Sequence, residues 1–258
     1  MFMKQMNFFL VALMAVVMGM SVTSCMNGDN ESAYDLGVYA SVVDDITSVC
    51  LLGDDGNIYY PENPGALKAN GETTYPKRVF VYLKYLEGVT AASEKKNVTI
   101  VQYAPLYTRS LCMQPDTIKN DIPLARLSDF GVLNATTVNM FSNVPAYCNV
   151  AFSICIDNSS AIVDLVPVTA SGNELTVKLQ QTVGNKDASY ETQGYASFSI
   201  PSVTEINAAL ALVPKSDPDA ETPTLTANEG KIRIKVIGVG KNNQTYTLSS
   251  KEAKISNY

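Results

Sequence analysis

The sequence predicts an all-β protein: an N-terminal five-stranded OB-like barrel followed by a C-terminal antiparallel β-sandwich. Three observations lead there. Short runs rich in Val, Ile, Tyr and Thr recur along the chain, as they do in strands. Gly, Asn, Asp and Pro clusters separate the runs at hairpin spacing. Only one stretch of the 258 residues carries a full set of helix signals.

The N-terminus is a sorting signal rather than fold. Lys4 supplies a positive start, Phe8 to Met18 is an apolar run, and Val22-Thr23-Ser24-Cys25 has the form of a bacterial lipobox. The apolar run is shorter than the roughly 20 residues of a membrane-spanning helix, so residues 1–24 are expected to be a cleaved lipoprotein signal peptide. Cys25 then becomes the lipidated first residue, and the lipid on it is the expected tie to the membrane. Stable anchoring takes more than one acyl chain, which several chains on one cysteine supply. Residues 25–35 read as a lipidated tether, polar and rich in Asn, Asp and Gly up to Ala33. Met26 follows the cysteine where many inner-membrane lipoproteins carry aspartate. The expected location is therefore the outer membrane, on its periplasmic side or at the cell surface.

The barrel domain is expected over residues 36–110. Val38-Tyr39-Ala40-Ser41-Val42-Val43 and Ser48-Val49-Cys50-Leu51-Leu52 are its first strands. Asp54-Asp55-Gly56-Asn57 is the turn to Ile58-Tyr59-Tyr60, because Gly and Asn accept positive φ. An EF-hand would need ligands spread over twelve residues and a closing Glu, a spacing this stretch lacks. Arg78 to Leu86 and Asn97 to Tyr103 complete five strands, the number of a small barrel. Residues 111–135 are the expected connection, with one or two helical turns within Asp121 to Phe130.

The sandwich domain is expected over residues 136–258. Its strands are Thr137 to Phe141, Asn149 to Ile156, Ala161 to Val168, Glu174 to Thr182 and Tyr195 to Ile200. Lys231-Ile232-Arg233-Ile234-Lys235-Val236 alternates cleanly, and Thr245 to Ile255 closes the chain. Ser202 to Leu212 is the helix: Ser202 and Glu205 have capping-box spacing, and Pro214 stops it.

Composition narrows the function. Removing the signal leaves 234 residues, ample for a core, and moves the formal net charge from −6 to −7, since Lys4 is its only charged residue. An acidic chain with no basic cluster is a poor nucleic-acid ligand. With no His there is no histidine triad and no histidine metal ligand. No cofactor motif occurs. Cys50, Cys112, Cys148 and Cys155 could form two bridges or stand as buried thiols, and both readings stay open. Seven residues apart, Cys148 and Cys155 would face opposite sides of one strand, which argues against a bond between them.

The lipobox and acidic tether, then Tyr34-Asp35-Leu36-Gly37, the Asp54-Asp55-Gly56 hairpin and the Arg78-Val79-Phe80-Val81 strand, resemble the NigD-like lipoproteins. That resemblance covers nearly the whole mature chain and implies an N-terminal OB-like barrel with a C-terminal β-sandwich. It also implies a place in the cell envelope. The chain lacks the Trp that often follows the first Gly of that family; Tyr39, two residues after Gly37, is the aromatic expected to stand in for it.

The candidate sites follow from side-chain chemistry. Nine of the 14 Tyr lie between Tyr34 and Tyr107. OB barrels bind ligands on the face of strands 2 and 3, which points to Tyr59 and Tyr60; neighbours on a strand face opposite ways, so one of the two faces out. Asp217, Asp219 and Glu221 alternate on a Pro/Asp-rich loop and are candidate ligands for a hard cation. Thr117, in Asp116-Thr117-Ile118, is a candidate O-glycosylation site. No catalytic constellation emerges. The function expected is a non-enzymatic envelope lipoprotein that binds a protein partner or supports a surface assembly; the alternative is a glycan-binding lipoprotein.

Overall fold

The structure is a computed structural model that describes residues 33–45, 48–68, 72–118, 120–139, 142–157, 161–215, 217 and 219–255. The expected signal peptide, Cys25 and most of the expected tether lie outside the described residues. The chain is nearly all β and forms two compact units. One runs to Tyr107 and takes in Thr137–Val144; the other holds Thr108–Thr136 and the chain from Pro145 onward.

The first unit is a closed barrel in the order β1-β2-β3-β5-β4. Its strands are β1 (Leu36–Asp44), β2 (Val49–Gly53), β3 (Ile58–Pro61), β4 (Arg78–Tyr85) and β5 (Lys96–Pro105). β1 closes it by pairing twice: Ala40 to Asp44 against β2, Leu36 to Ser41 against β4. All neighbours are antiparallel except β3 and β5, which run parallel. Alternation sends Val38, Ala40, Leu51, Tyr59, Val79, Val81, Leu83, Val98 and Ile100 inward, and Leu67 joins them from the 3-10 turn Pro64–Leu67. The side-chain amide of Asn63 accepts from the Ile100 N–H (2.8 Å) and donates to its carbonyl (3.0 Å), tying that turn to β5 as one more strand residue would.

The second unit has two four-stranded sheets, packed as a sandwich. One has the order β6-β13-β10-β7, from β6 (Tyr107–Ser110), β7 (Arg126–Leu133), β10 (Ala146–Ile156) and β13 (Tyr190–Ile200). The other has the order β11-β12-β14-β15, from β11 (Ile162–Ser171), β12 (Glu174–Val183), β14 (Lys231–Val239) and β15 (Thr245–Lys254). The short strands β8 (Thr136–Asn139) and β9 (Ser142–Val144), which fall in the first unit apart from Thr136, pair with each other. β12 and β14 are parallel neighbours within this largely antiparallel unit. The long path between them, through β13 and the helix α1 (Val203–Leu210), supplies the crossover that a parallel pair requires. Cys148, Val150, Phe198, Leu165, Leu175, Val177, Leu179, Ile232, Ile234 and Val236 are buried.

The helical turns expected within Asp121 to Phe130 are not there. Arg126–Leu133 is a strand paired with β10. The register shifts opposite Ala151 and Phe152, so Leu127 pairs with Phe152 and Phe130 with Val150. Such a bulge turns both Leu127 and Phe130 inward, at 4% and 2% exposure, although they are three residues apart. The expected helix is α1, with its capping box formed: Ser202 Oγ accepts from the Glu205 N–H (3.3 Å), and Glu205 accepts from the Ser202 N–H (3.0 Å).

Candidate functional site

The β2–β3 hairpin organises the barrel's polar chemistry. Gly56 turns it with φ of 84°. The two adjacent acids then do different work. Asp54 takes both ends of the Arg78 guanidinium, at 2.6 and 2.7 Å, while the same guanidinium donates to Ser41 Oγ (3.1 Å). Arg78 is fully buried, so this fork of charge-assisted bonds offsets the desolvation of its charge. Asp55 accepts from the Tyr59 hydroxyl (2.6 Å) and from Asn57, through its N–H (3.0 Å) and Nδ2 (2.9 Å). Burial pushes the Asp55 carboxyl up, but the bonds from Tyr59 and Asn57 outweigh it and hold the group below the usual carboxylate range. The Tyr59 hydroxyl is pushed the other way, by burial first and then by its bond to Asp55.

This arrangement separates the two tyrosines. Tyr59 belongs to the barrel core at 1% exposure. Tyr60 is half-buried on the opposite side of β3, with the Lys95 ammonium 5.0 Å from its ring centroid. Leu52 and Ile58 are cross-strand partners, both half-buried, and Ile58 shares the Tyr60 side of β3. Leu52, Ile58, Tyr60 and Lys95 thus make an amphipathic strip on the strand 2–3 face. A ligand reaching it would meet an aliphatic pair, a phenol ring and a cation.

A second aromatic group lies on the outer side of β1 and β4. Tyr39 and Phe80 are cross-strand partners with ring centroids 4.9 Å apart; Phe80 and Tyr82 meet edge to face at 5.1 Å; Tyr34 tilts against Tyr82 at 4.3 Å. Gly37 pairs with Tyr82 across the strands, and a Cβ on it would stand 3.0 Å from Phe80 Cζ, so the rings lie over bare backbone. Burial raises the Tyr39 hydroxyl pKa, aided by Asp54 and Tyr82. The row is not among the candidates read from the sequence, although its signal is there: Gly37 and Tyr39 on one strand, and Phe80 and Tyr82 on another, have the two-residue spacing of one face.

The other candidate residues stand apart from these strips. Thr117 is exposed at the end of the 3-10 turn Pro115–Thr117 and donates to the Gln114 carbonyl (2.7 Å); Pro115 itself is buried. Asp217, Asp219 and Glu221 are exposed, and the Asp217 carboxylate accepts from the Asp219 N–H (3.0 Å). Among the described residues, no three Asp, Glu or Cys side chains gather where they could hold a metal ion. Cys50, Cys112, Cys148 and Cys155 are free thiols, and three of them are buried. Burial pushes the Cys148 thiol up to about 12. Among the described residues no helix is long and apolar enough to cross a membrane.

No family model and no curated protein matches the chain. Solved structures similar to it come from Bacteroides and Parabacteroides species. A NigD-like immunity protein of Bacteroides caccae aligns over 89% of this chain and 100% of its own, at 13% identity and a TM-score of 0.47. A Bacteroides fragilis protein assigned as a lipoprotein aligns over 86% and 98%, at 11% identity and a TM-score of 0.48. A protein of unknown function from Bacteroides vulgatus aligns over 83% and 89%, at 15% identity and a TM-score of 0.47. The NigD-like resemblance read from the sequence thus has a counterpart among solved structures.

Proposed function

We propose that the protein is a non-enzymatic, lipid-anchored component of the outer membrane, on its periplasmic side or at the surface, that binds a protein partner through its barrel. The observation that carries this reading is the strand 2–3 strip: Leu52, Ile58 and Tyr60 side by side, with Lys95 over the Tyr60 ring. A tyrosine is among the side chains that anchor protein interfaces, the aliphatic pair beside it would exclude water from such a contact, and no converging carboxylates are needed for the role. The anchoring part rests on the lipobox form of Val22-Thr23-Ser24-Cys25. The barrel and the sandwich are proposed as separate domains, the first presenting the strip and the second supporting it in the envelope.

The test is cross-linking on intact cells, comparing the wild-type chain with Tyr60→Ala. A discrete protein adduct that the substitution abolishes is the expected result. An adduct unchanged by Tyr60→Ala would move the contact off this strip. The second reading is glycan binding, in which Tyr60 stacks on a sugar while its hydroxyl hydrogen-bonds. Retention of purified soluble protein on envelope polysaccharide, lost in Tyr60→Ala, would favour that reading over a protein partner.

A further inference from the structure

The aromatic row on β1 and β4 sits where the chain emerges from its anchor. Tyr34 is the ninth residue after Cys25. At about 3.3–3.6 Å per residue, a lipid on Cys25 keeps Tyr34 within about 30 Å of the bilayer surface even when the tether is fully stretched. From Tyr34 the row continues without a gap: Tyr82 at 4.3 Å, Phe80 at 5.1 Å from Tyr82, and Tyr39 at 4.9 Å from Phe80. Tyr34, Tyr39 and Phe80 are half-buried, and Tyr82, at 6% exposure, lies beneath them as their support. Gly37 is exposed among them and adds no side chain, so nothing rises from the backbone between the rings. Lys84 is exposed two residues beyond Tyr82 on the same side of β4.

We propose that this row is a membrane-resting surface: the lipidated chain lays Tyr34, Tyr39 and Phe80, backed by the buried ring of Tyr82, against the lipid headgroups of the leaflet that holds its anchor. Tyrosine suits the position, since its ring is apolar and its hydroxyl is polar, and aromatic side chains collect at membrane–water interfaces for that reason. The net charge of −7 left after the signal is removed gives no general attraction to an anionic surface, so contact through rings, with Lys84 near phosphate, is the mode the chain can use. The proposal rests on the lipidation of Cys25. It leaves the strand 2–3 strip to the partner and gives the barrel a fixed side toward the membrane.

The chain has no Trp, so one introduced indole reports alone. The lipidated full-length protein carrying Phe80→Trp is placed in phosphatidylethanolamine–phosphatidylglycerol vesicles, with and without bromine on the acyl chains. Tyr34→Trp is a second reporter should the first fail to fold. Tyr190→Trp, at a sandwich position 69% exposed, is the control. The expected result is blue-shifted emission that brominated lipid quenches for Phe80→Trp and Tyr34→Trp and leaves unchanged for Tyr190→Trp. Protein that sediments with the vesicles but shows equal emission in brominated and ordinary lipid overturns the proposal and leaves the anchor intact. Protein that fails to sediment at all overturns the anchor reading, and the proposal with it. A blue shift produced by a co-purified protein, with no quenching by lipid, also overturns it and assigns the row to a protein partner.

Discussion

The barrel and the sandwich solve the same problem, holding a β-structure closed, with different chemistry. The barrel is fastened from within. Its hairpin carboxylates reach buried groups: Asp54 holds an Arg78 that has no exposed surface, and Asp55 holds the hydroxyl of a core tyrosine, Tyr59. The sandwich unit is filled mainly by apolar side chains, and its buried polar groups include neutral ones such as Asn149, Gln181 and Ser197. Each of its ion pairs among the described residues has at least one partly exposed partner. Arg109 of β6 meets Asp164 of β11 at 2.8 Å, and Lys251 of β15 donates to the Phe130 carbonyl of β7. Those pairs cover strand edges that would otherwise be open to other chains. The difference teaches where polar substitutions matter. A buried charge left without its partner is costly, whereas an exposed pair contributes little.

Asp54→Ala should therefore have the largest effect. It takes the carboxylate fork away from a buried guanidinium, and we expect a loss of about 3 kcal/mol in urea unfolding, the low end for breaking a buried pair because Asp54 is 23% exposed. A loss of under about 1 kcal/mol would make this pair no different from an exposed one. Cys148→Ser comes next. It puts a hydroxyl into the sandwich interior at zero exposure, with an expected cost of about 1–3 kcal/mol by the same measurement. The native Cys148 thiol should also resist thiol reagents until the protein unfolds. Its folded pKa is raised, so its contribution to stability is complete below the unfolded value of 9.0 and is lost as the pH rises through about 12.

Asp164→Ala should cost about 1–2 kcal/mol: its carboxylate is only 13% exposed and also accepts from Thr182 Oγ1 (2.6 Å), but its partner Arg109 is 43% exposed and returns to water. A larger loss would mean that this pair is as tightly held as the barrel hairpin. The finest distinction is acid sensitivity. Asp55 is held below its ordinary value, so its contribution is present above 3.8 and is lost as the pH falls through the folded value. Asp55→Asn should flatten the acid limb of the stability profile of the barrel. An unchanged acid limb would show that the Tyr59–Asp55 bond does not fasten the hairpin.

Much of this comparison was legible in the sequence. Clean alternation in Lys231 to Val236 and turn chemistry in Asp54 to Asn57 are local signals, and the structure has β14 and the β2–β3 hairpin there. The capping box at Ser202 is local as well. What the sequence hid depends on partners distant in the chain. Leu127 and Phe130 have helical spacing because a bulge, set by pairing with Ala151 and Phe152, turns both inward. The parallel neighbours β12 and β14 are chosen by packing across a long crossover, which no window of residues records. In the site, Tyr59 and Tyr60 were singled out together; only the inward direction of β3 assigns one to the core and the other to the surface. The Arg78–Asp54 fork was invisible because a buried arginine in an apolar strand has no local signature.

The anchor is the claim on which the cellular reading stands, and cell fractionation tests it most directly. The wild-type chain and Cys25→Ala are expressed in a Gram-negative host, and membranes are washed in high salt. The account predicts wild-type protein in the membrane pellet and Cys25→Ala in the soluble fraction, because several acyl chains at about 0.8 kcal/mol per buried methylene are the tie to the bilayer. Cys25→Ala protein that stays in the washed pellet would contradict it.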